Sequence, residues 1–99
     1  MTILGHFTQA GEDYAGAVRT LSLSADLRFV RAPSENERAP SHRVMTGEAE
    51  CGAAWLSQDE ACVLNVRLDD PSWPEPVRAR LVRGRGDDLL LVWRRPAPE

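Results

Sequence analysis

Residues 43–71, RVMTGEAECGAAWLSQDEACVLNVRLDDP, combine the alternation, turn chemistry and charge pairing of a β-hairpin with one apolar face. From Met45 every second residue (Met45, Gly47, Ala49, Cys51, Ala53, Trp55) is apolar or small, with Thr46, Glu48, Glu50 and Gly52 between them. Successive side chains of a strand point to opposite faces, so this period of two marks a half-buried strand. Cys62, Leu64, Val66 and Leu68 repeat the pattern, and Ser57, Gln58, Asp59 and Glu60 supply polar turn residues between the two runs. Folding about that centre sets Ala53 opposite Leu64, Cys51 opposite Val66, Glu48 opposite Asp69 and Glu50 opposite Arg67. On this register Cys51 and Cys62 both turn into one core with Trp55 and Leu64.

The flanking segments read the same way. Ile3, Gly5 and Phe7 alternate with Leu4, His6 and Thr8, and a turn follows around Gly11. Tyr14, Gly16, Val18 and Thr20 share one parity and return antiparallel to that first strand. Leu21, Leu23, Ala25, Leu27 and Phe29 form a third run, and residues 32–41, APSENERAPS, have no large apolar side chain and read as a mobile loop. Three prolines in residues 69–76, DDPSWPEP, remove ladder donors and predict a stiff crossing around Trp73. Val77, Ala79 and Leu81, a turn centred on Gly86, and Leu89, Leu91 and Trp93 make a last hairpin, in which Ala79 faces Trp93 and Arg78 faces Arg94. About seven short strands in successive hairpins predict an all-β fold, a small antiparallel barrel or a sandwich, with residues 1–99 as a single domain.

Composition narrows the function classes. The chain is 99 residues long with 42% hydrophobic and 27% charged residues, enough to bury a modest core without a metal or a disulfide. It carries no apolar run of signal or membrane-spanning length, so a cytoplasmic protein without membrane contact is expected, and its two cysteines are expected to be reduced. Net charge is −3, so affinity for a phosphate backbone is not a property of the whole surface. The distribution is uneven: residues 1–70 hold eleven acidic residues against six arginines, whereas residues 71–99 hold four against six. Every basic side chain is arginine, whose planar fork suits bidentate contacts.

No residue set declares a reaction. His6 and His42 stand in no metal spacing with Cys51 and Cys62, no glycine-rich phosphate loop leads from a strand into a helix, and no cofactor is expected. A non-catalytic surface remains. Arg78, Arg80, Arg94 and Arg95 share the outer face or exit of the last hairpin, with Trp73 nearby in sequence, and aromatic rings beside arginine grip single strands on β-folds. Opposite in sign are Glu48, Glu50, Asp69 and Asp70 on the central hairpin, an acidic face able to dock on an arginine-lined channel of another protein.

Gly5, Phe7, Gly11, Tyr14, Gly16, Thr20 and Leu21, then Arg43, Val44, Gly47, Gly52, Ala53, Ala54 and Trp55, and finally Leu68, Asp69, Asp70, Pro71, Ser72, Pro74 and Pro76 together resemble the bacterial family known as domain of unknown function 736. The GAAW and LDDPS stretches carry most of that likeness. The resemblance implies a setting rather than a chemistry: a small protein of plasmids and conjugative elements, encoded near transfer and replication functions. It brings no catalytic residue. The chain departs from the family pattern by lacking lysines after GAAW, by Trp73 where a phenylalanine is usual, and by Cys51 where a larger aliphatic residue is usual. Two functions are therefore expected. The first is a protein-binding counter-defence inhibitor, of the anti-CRISPR or anti-restriction kind, acting through Glu48, Glu50, Asp69 and Asp70. The alternative is a single-stranded nucleic-acid-binding accessory protein for conjugation or replication, acting through Arg78, Arg80, Arg94, Arg95 and Trp73.

Overall fold

A computed structural model describes residues 2–21 and 24–93. Eight strands follow one another in the chain: β1 (Thr2–Ala10), β2 (Asp13–Arg19), β3 (Ser24–Arg31), β4 (His42–Thr46), β5 (Ala49–Leu56), β6 (Cys62–Leu68), β7 (Val77–Arg83) and β8 (Leu89–Trp93). Each pairs antiparallel with the next, and β8 pairs with β1, so the sheet closes into an up-and-down barrel. The choice between barrel and sandwich is thereby decided. Closure leaves no open sheet edge.

An eight-stranded barrel is just narrow enough for side chains to fill. Phe7, Phe29, Leu64, Leu81, Leu91, Val18 and Val44 are its largest fully buried residues. Phe7 stacks on Phe29 with ring centroids 5.0 Å apart, and Tyr14 meets Phe29 edge-on at 6.5 Å. Phe7 also lies against its cross-strand partner Gly16, where an added Cβ would stand 2.2 Å from the His6 carbonyl oxygen and 2.7 Å from the Phe7 ring. Glycine here makes room for the close backbone approach and for the ring. Among the described residues the buried polar side chain is His42, which is bonded at both ring nitrogens: Nε2 donates to the Glu12 carbonyl at 2.8 Å, and Nδ1 lies 2.9 Å from Ser41 Oγ.

The first and last turns fall where the sequence places them, at Gly11 and Gly86, both with positive φ (66° and 58°). The last hairpin keeps the expected register, with Arg80 opposite Val92 and Arg83 opposite Leu89. The central stretch differs. Gly47, with φ of 60°, ends β4, so the run from Met45 to Trp55 is two strands rather than one, and the described residues form eight. A bulge at Cys51 then shifts the β4–β5 register, and β5 pairs with β6 as Ala53 with Arg67, Ala54 with Val66 and Trp55 with Asn65. This register is three residues away from the expected one, and an odd shift turns the β5 side chains beyond the bulge at Cys51 to the other face. Ala54 is therefore buried, while Trp55 stands outside the barrel. Leu64, Val66 and Leu68 enter the core as expected. Cys51 is half-buried against the core, and Cys62, beside a second bulge at Val63, is buried as well, with its Sγ near Leu64 O and Asn65 Oδ1. Both thiols are free.

Candidate nucleic-acid interface

The shift of register gathers a different surface from either of those expected. On the outer face of β5 to β8, one row across the strands reads Trp55, Asn65, Arg80 and Val92, and the next reads Ala53, Arg67 and Arg78. Together they border an open groove of about 770 Å³ with Trp55 on its β5 side and Trp93 on its β8 side. Its lining holds three arginines, Arg67, Arg78 and Arg80, and no carboxylate. Val92 and Val82 supply an apolar floor.

Each side chain is placed by the strand beneath it. Trp55 is locked in position: its Nε1 donates to the Arg38 carbonyl at 3.2 Å, and the Arg67 guanidinium stands 6.0 Å from the ring centroid. The loop from Ala32 to Ser41 is therefore not loose at Arg38, and it is further closed by Ala32 N–H donating to the Ser41 carbonyl at 2.8 Å. Arg67 and Arg78 are direct cross-strand partners on the outer face. Opposed like charges weaken a sheet. Arg80 is held instead, by Asp59 of the β5–β6 turn, with Nη2 donating to Oδ2 at 2.9 Å. The Cys62 sulfur first, and Asp59 with it, push the Arg80 guanidinium still further toward its protonated form.

Of the expected nucleic-acid residues, Arg78 and Arg80 share this groove, whereas Arg94 and Arg95 lie outside the described residues. Trp73 does not join them on the outer face. It packs against the core at one end of the barrel, bordering a cavity of about 350 Å³ with Cys51, Leu68, Asp70 and Ser72. Sequence reasoning missed Trp55, Asn65 and Arg67. The expected register turns Trp55 inward and assigns Arg67 to Glu50, which approaches Arg43 instead, Nε to Oε1 at 4.0 Å.

The acidic set is gathered at the barrel end that holds the β4–β5 turn and the β6–β7 crossing. Asp69 N–H donates to the Cys51 carbonyl at 2.8 Å, and Glu50 and Glu48 lie one and three residues before Cys51. Burial, then the charges of Asp70 and Glu50, push the Cys51 thiol up from its ordinary value. Asp70 works mainly within its own loop, accepting the Ser72 hydroxyl and, at 3.0 Å, the Ser72 N–H, and these bonds hold its carboxyl below the usual range. Among the described residues no three histidine, cysteine or acidic side chains converge as metal ligands.

A family model described as "Protein of unknown function (DUF736)" matches residues 3–96. No curated protein matches the chain, and neither does any solved structure.

Proposed function

We propose that this chain, which belongs to the DUF736 family, is a non-catalytic protein that binds single-stranded nucleic acid on the outer face of β5 to β8. The observation that carries the reading is the direct opposition of Arg67 and Arg78 beside the outward indole of Trp55. Two like charges facing each other across a ladder cost sheet stability, and an anion lying between them offsets that cost. A phosphodiester is such an anion. A base has a π-face whatever its identity, so an indole fixed next to the arginine pair takes the base while the guanidinium groups take the phosphates. The net charge of −3 supplies no long-range attraction, so binding depends on these local groups and is strongest at low salt. The proposed setting is an accessory role where transfer or replication of a mobile element exposes single strands.

A second reading is favoured by the gathering of Glu48, Glu50, Asp69 and Asp70 at one barrel end. An acidic end of this kind would suit docking on the basic channel of a defence complex, in the manner of a counter-defence inhibitor. One set of variants separates the two. Arg67→Ala with Arg78→Ala is expected to weaken binding of a labelled single-stranded oligonucleotide and to reduce the slope of log affinity against log salt by about 1.4, roughly 0.7 for each phosphate no longer neutralised. Its thermal midpoint should hold or rise, because the like-charge opposition has gone. Charge reversal at Glu48 and Glu50 is expected to leave oligonucleotide binding no weaker than wild type. If the arginine variant binds as tightly as wild type with the same slope while the acidic variant alone loses a captured protein partner, the function belongs to the acidic end.

A further inference from the structure

Arg80 is the arginine of the groove that a carboxylate already holds. Asp59 is itself fixed by the turn it builds: its Oδ1 accepts the Ala61 N–H at 3.0 Å, its N–H donates to Ser57 Oγ at 3.1 Å, and its carbonyl accepts the Cys62 N–H at 3.0 Å. With one oxygen committed to the backbone, the other, Oδ2, reaches β7 and takes the Arg80 Nη2 at 2.9 Å. That is the distance at which a guanidinium takes an oxygen of a carboxylate or a phosphate alike. Both side chains keep about half their surface in water, at 48% and 57%, so the pair is screened and exchangeable rather than locked.

We propose that Arg80 is a phosphodiester subsite of the groove and that Asp59 occupies it in the free protein as an internal stand-in for phosphate, which an incoming backbone displaces. This rests on the nucleic-acid reading above. Arg80 sits in the row next to Arg67 and Arg78, directly opposite Asn65, so a strand whose phosphates meet the opposed pair passes over it. The bonds of Asp59 hold its carboxyl below the usual range, led by the Ala61 N–H and then by Arg80, so the stand-in stays charged at neutral pH. Each phosphate taken up at Arg80 releases one carboxylate. In the unaltered protein Arg80 therefore adds little to affinity and little to its salt dependence.

The test is Asp59→Asn. Asparagine keeps an Oδ1 to accept the Ala61 N–H and presents an amide donor where Oδ2 stood, so the turn is retained and Arg80 is released. Affinity for a labelled homothymidine single strand is expected to rise about two- to fivefold, the range set by exposed ion pairs. The log–log salt slope should steepen by about 0.7, the value for one further phosphate neutralised on a single strand. A turn that merely lost a bond would not steepen the slope. Adding Arg80→Ala to Asp59→Asn should abolish both gains. Arg80→Ala alone, which leaves the turn intact, should change affinity by less than about twofold. Wild-type binding with no gain in folded Asp59→Asn, or a large loss from Arg80→Ala alone, overturns the subsite while leaving the nucleic-acid reading standing. A folded wild type that binds no single strand at low salt overturns both.

Discussion

Trp55→Ala is expected to weaken single-strand binding by about fivefold to 150-fold, the range that corresponds to the roughly 1–3 kcal/mol carried by one stacked base. The barrel should survive the change. Trp55 stands outside the core, opposite Asn65, and its interior neighbour in sequence, Ala54, is the fully buried residue of that strand. What Trp55 holds is local: the Arg38 carbonyl through Nε1 and the Arg67 guanidinium through its ring face. Trp55→Phe separates the two roles, since it keeps a π-face and deletes the indole N–H. Binding by Trp55→Phe should fall much less than by Trp55→Ala, and thermal unfolding of the two should differ little. Equal losses of binding in both would mean that the tie to Arg38, rather than stacking, is what the side chain contributes.

Gly52→Ala is expected to be among the most damaging small substitutions at the described residues. A Cβ at Gly52 would lie 2.1 Å from the Arg67 carbonyl oxygen and 3.1 Å from Leu68 Cα, both backbone atoms of the adjoining strand. No side chain can rotate to relieve that overlap. Backbone must move, and in a closed barrel a strand that moves strains both its neighbours. Overpacking of this kind costs about 3 kcal/mol or more, a large part of the roughly 5–15 kcal/mol that holds a small domain together. For a chain of this length the thermal midpoint should fall by about 12 °C or more. Gly11→Asn is the control: Gly11 has φ of +66° with nothing within 4 Å of an added Cβ, and asparagine tolerates that conformation. It should cost no more than about 1 kcal/mol.

The contrast between these two glycines also explains how much could be read from the sequence. Gly11 and Gly86 each mark a turn, and the last hairpin is legible to the residue. In β6 only one parity is apolar from Leu64 to Leu68, and that parity is the buried one. Residues 52–56, GAAWL, offer no such contrast, being small or apolar on both parities. Alternation there cannot say which side faces inward, and it runs on through Gly47, whose turn it conceals. The true β5–β6 register is set by Asp59 and Ser57, whose hydrogen bonds place the turn later than its polar composition alone implies. That three-residue displacement takes Trp55 out of the core and sets Arg67 opposite Ala53 rather than Glu50, while Arg67 meets Arg78 through the separate β6–β7 register. The arginines of β7 are legible as an outward row, but their partners on β5 and β6 are not, because those depend on a register that hydrophobicity leaves undetermined.

The groove is tested most directly by titrating isotope-labelled protein with a short single-stranded oligonucleotide at low salt and following its amide and indole NMR signals. Binding at the outer face of β5 to β8 predicts that the Trp55 indole N–H, the Asn65 side-chain amide and the backbone amides around Arg67, Arg78 and Arg80 shift together and saturably. Those at Glu48, Glu50 and Asp69 should stay in place. Signals that do not move at an excess of oligonucleotide, or that move only at the acidic end of the barrel, would contradict it.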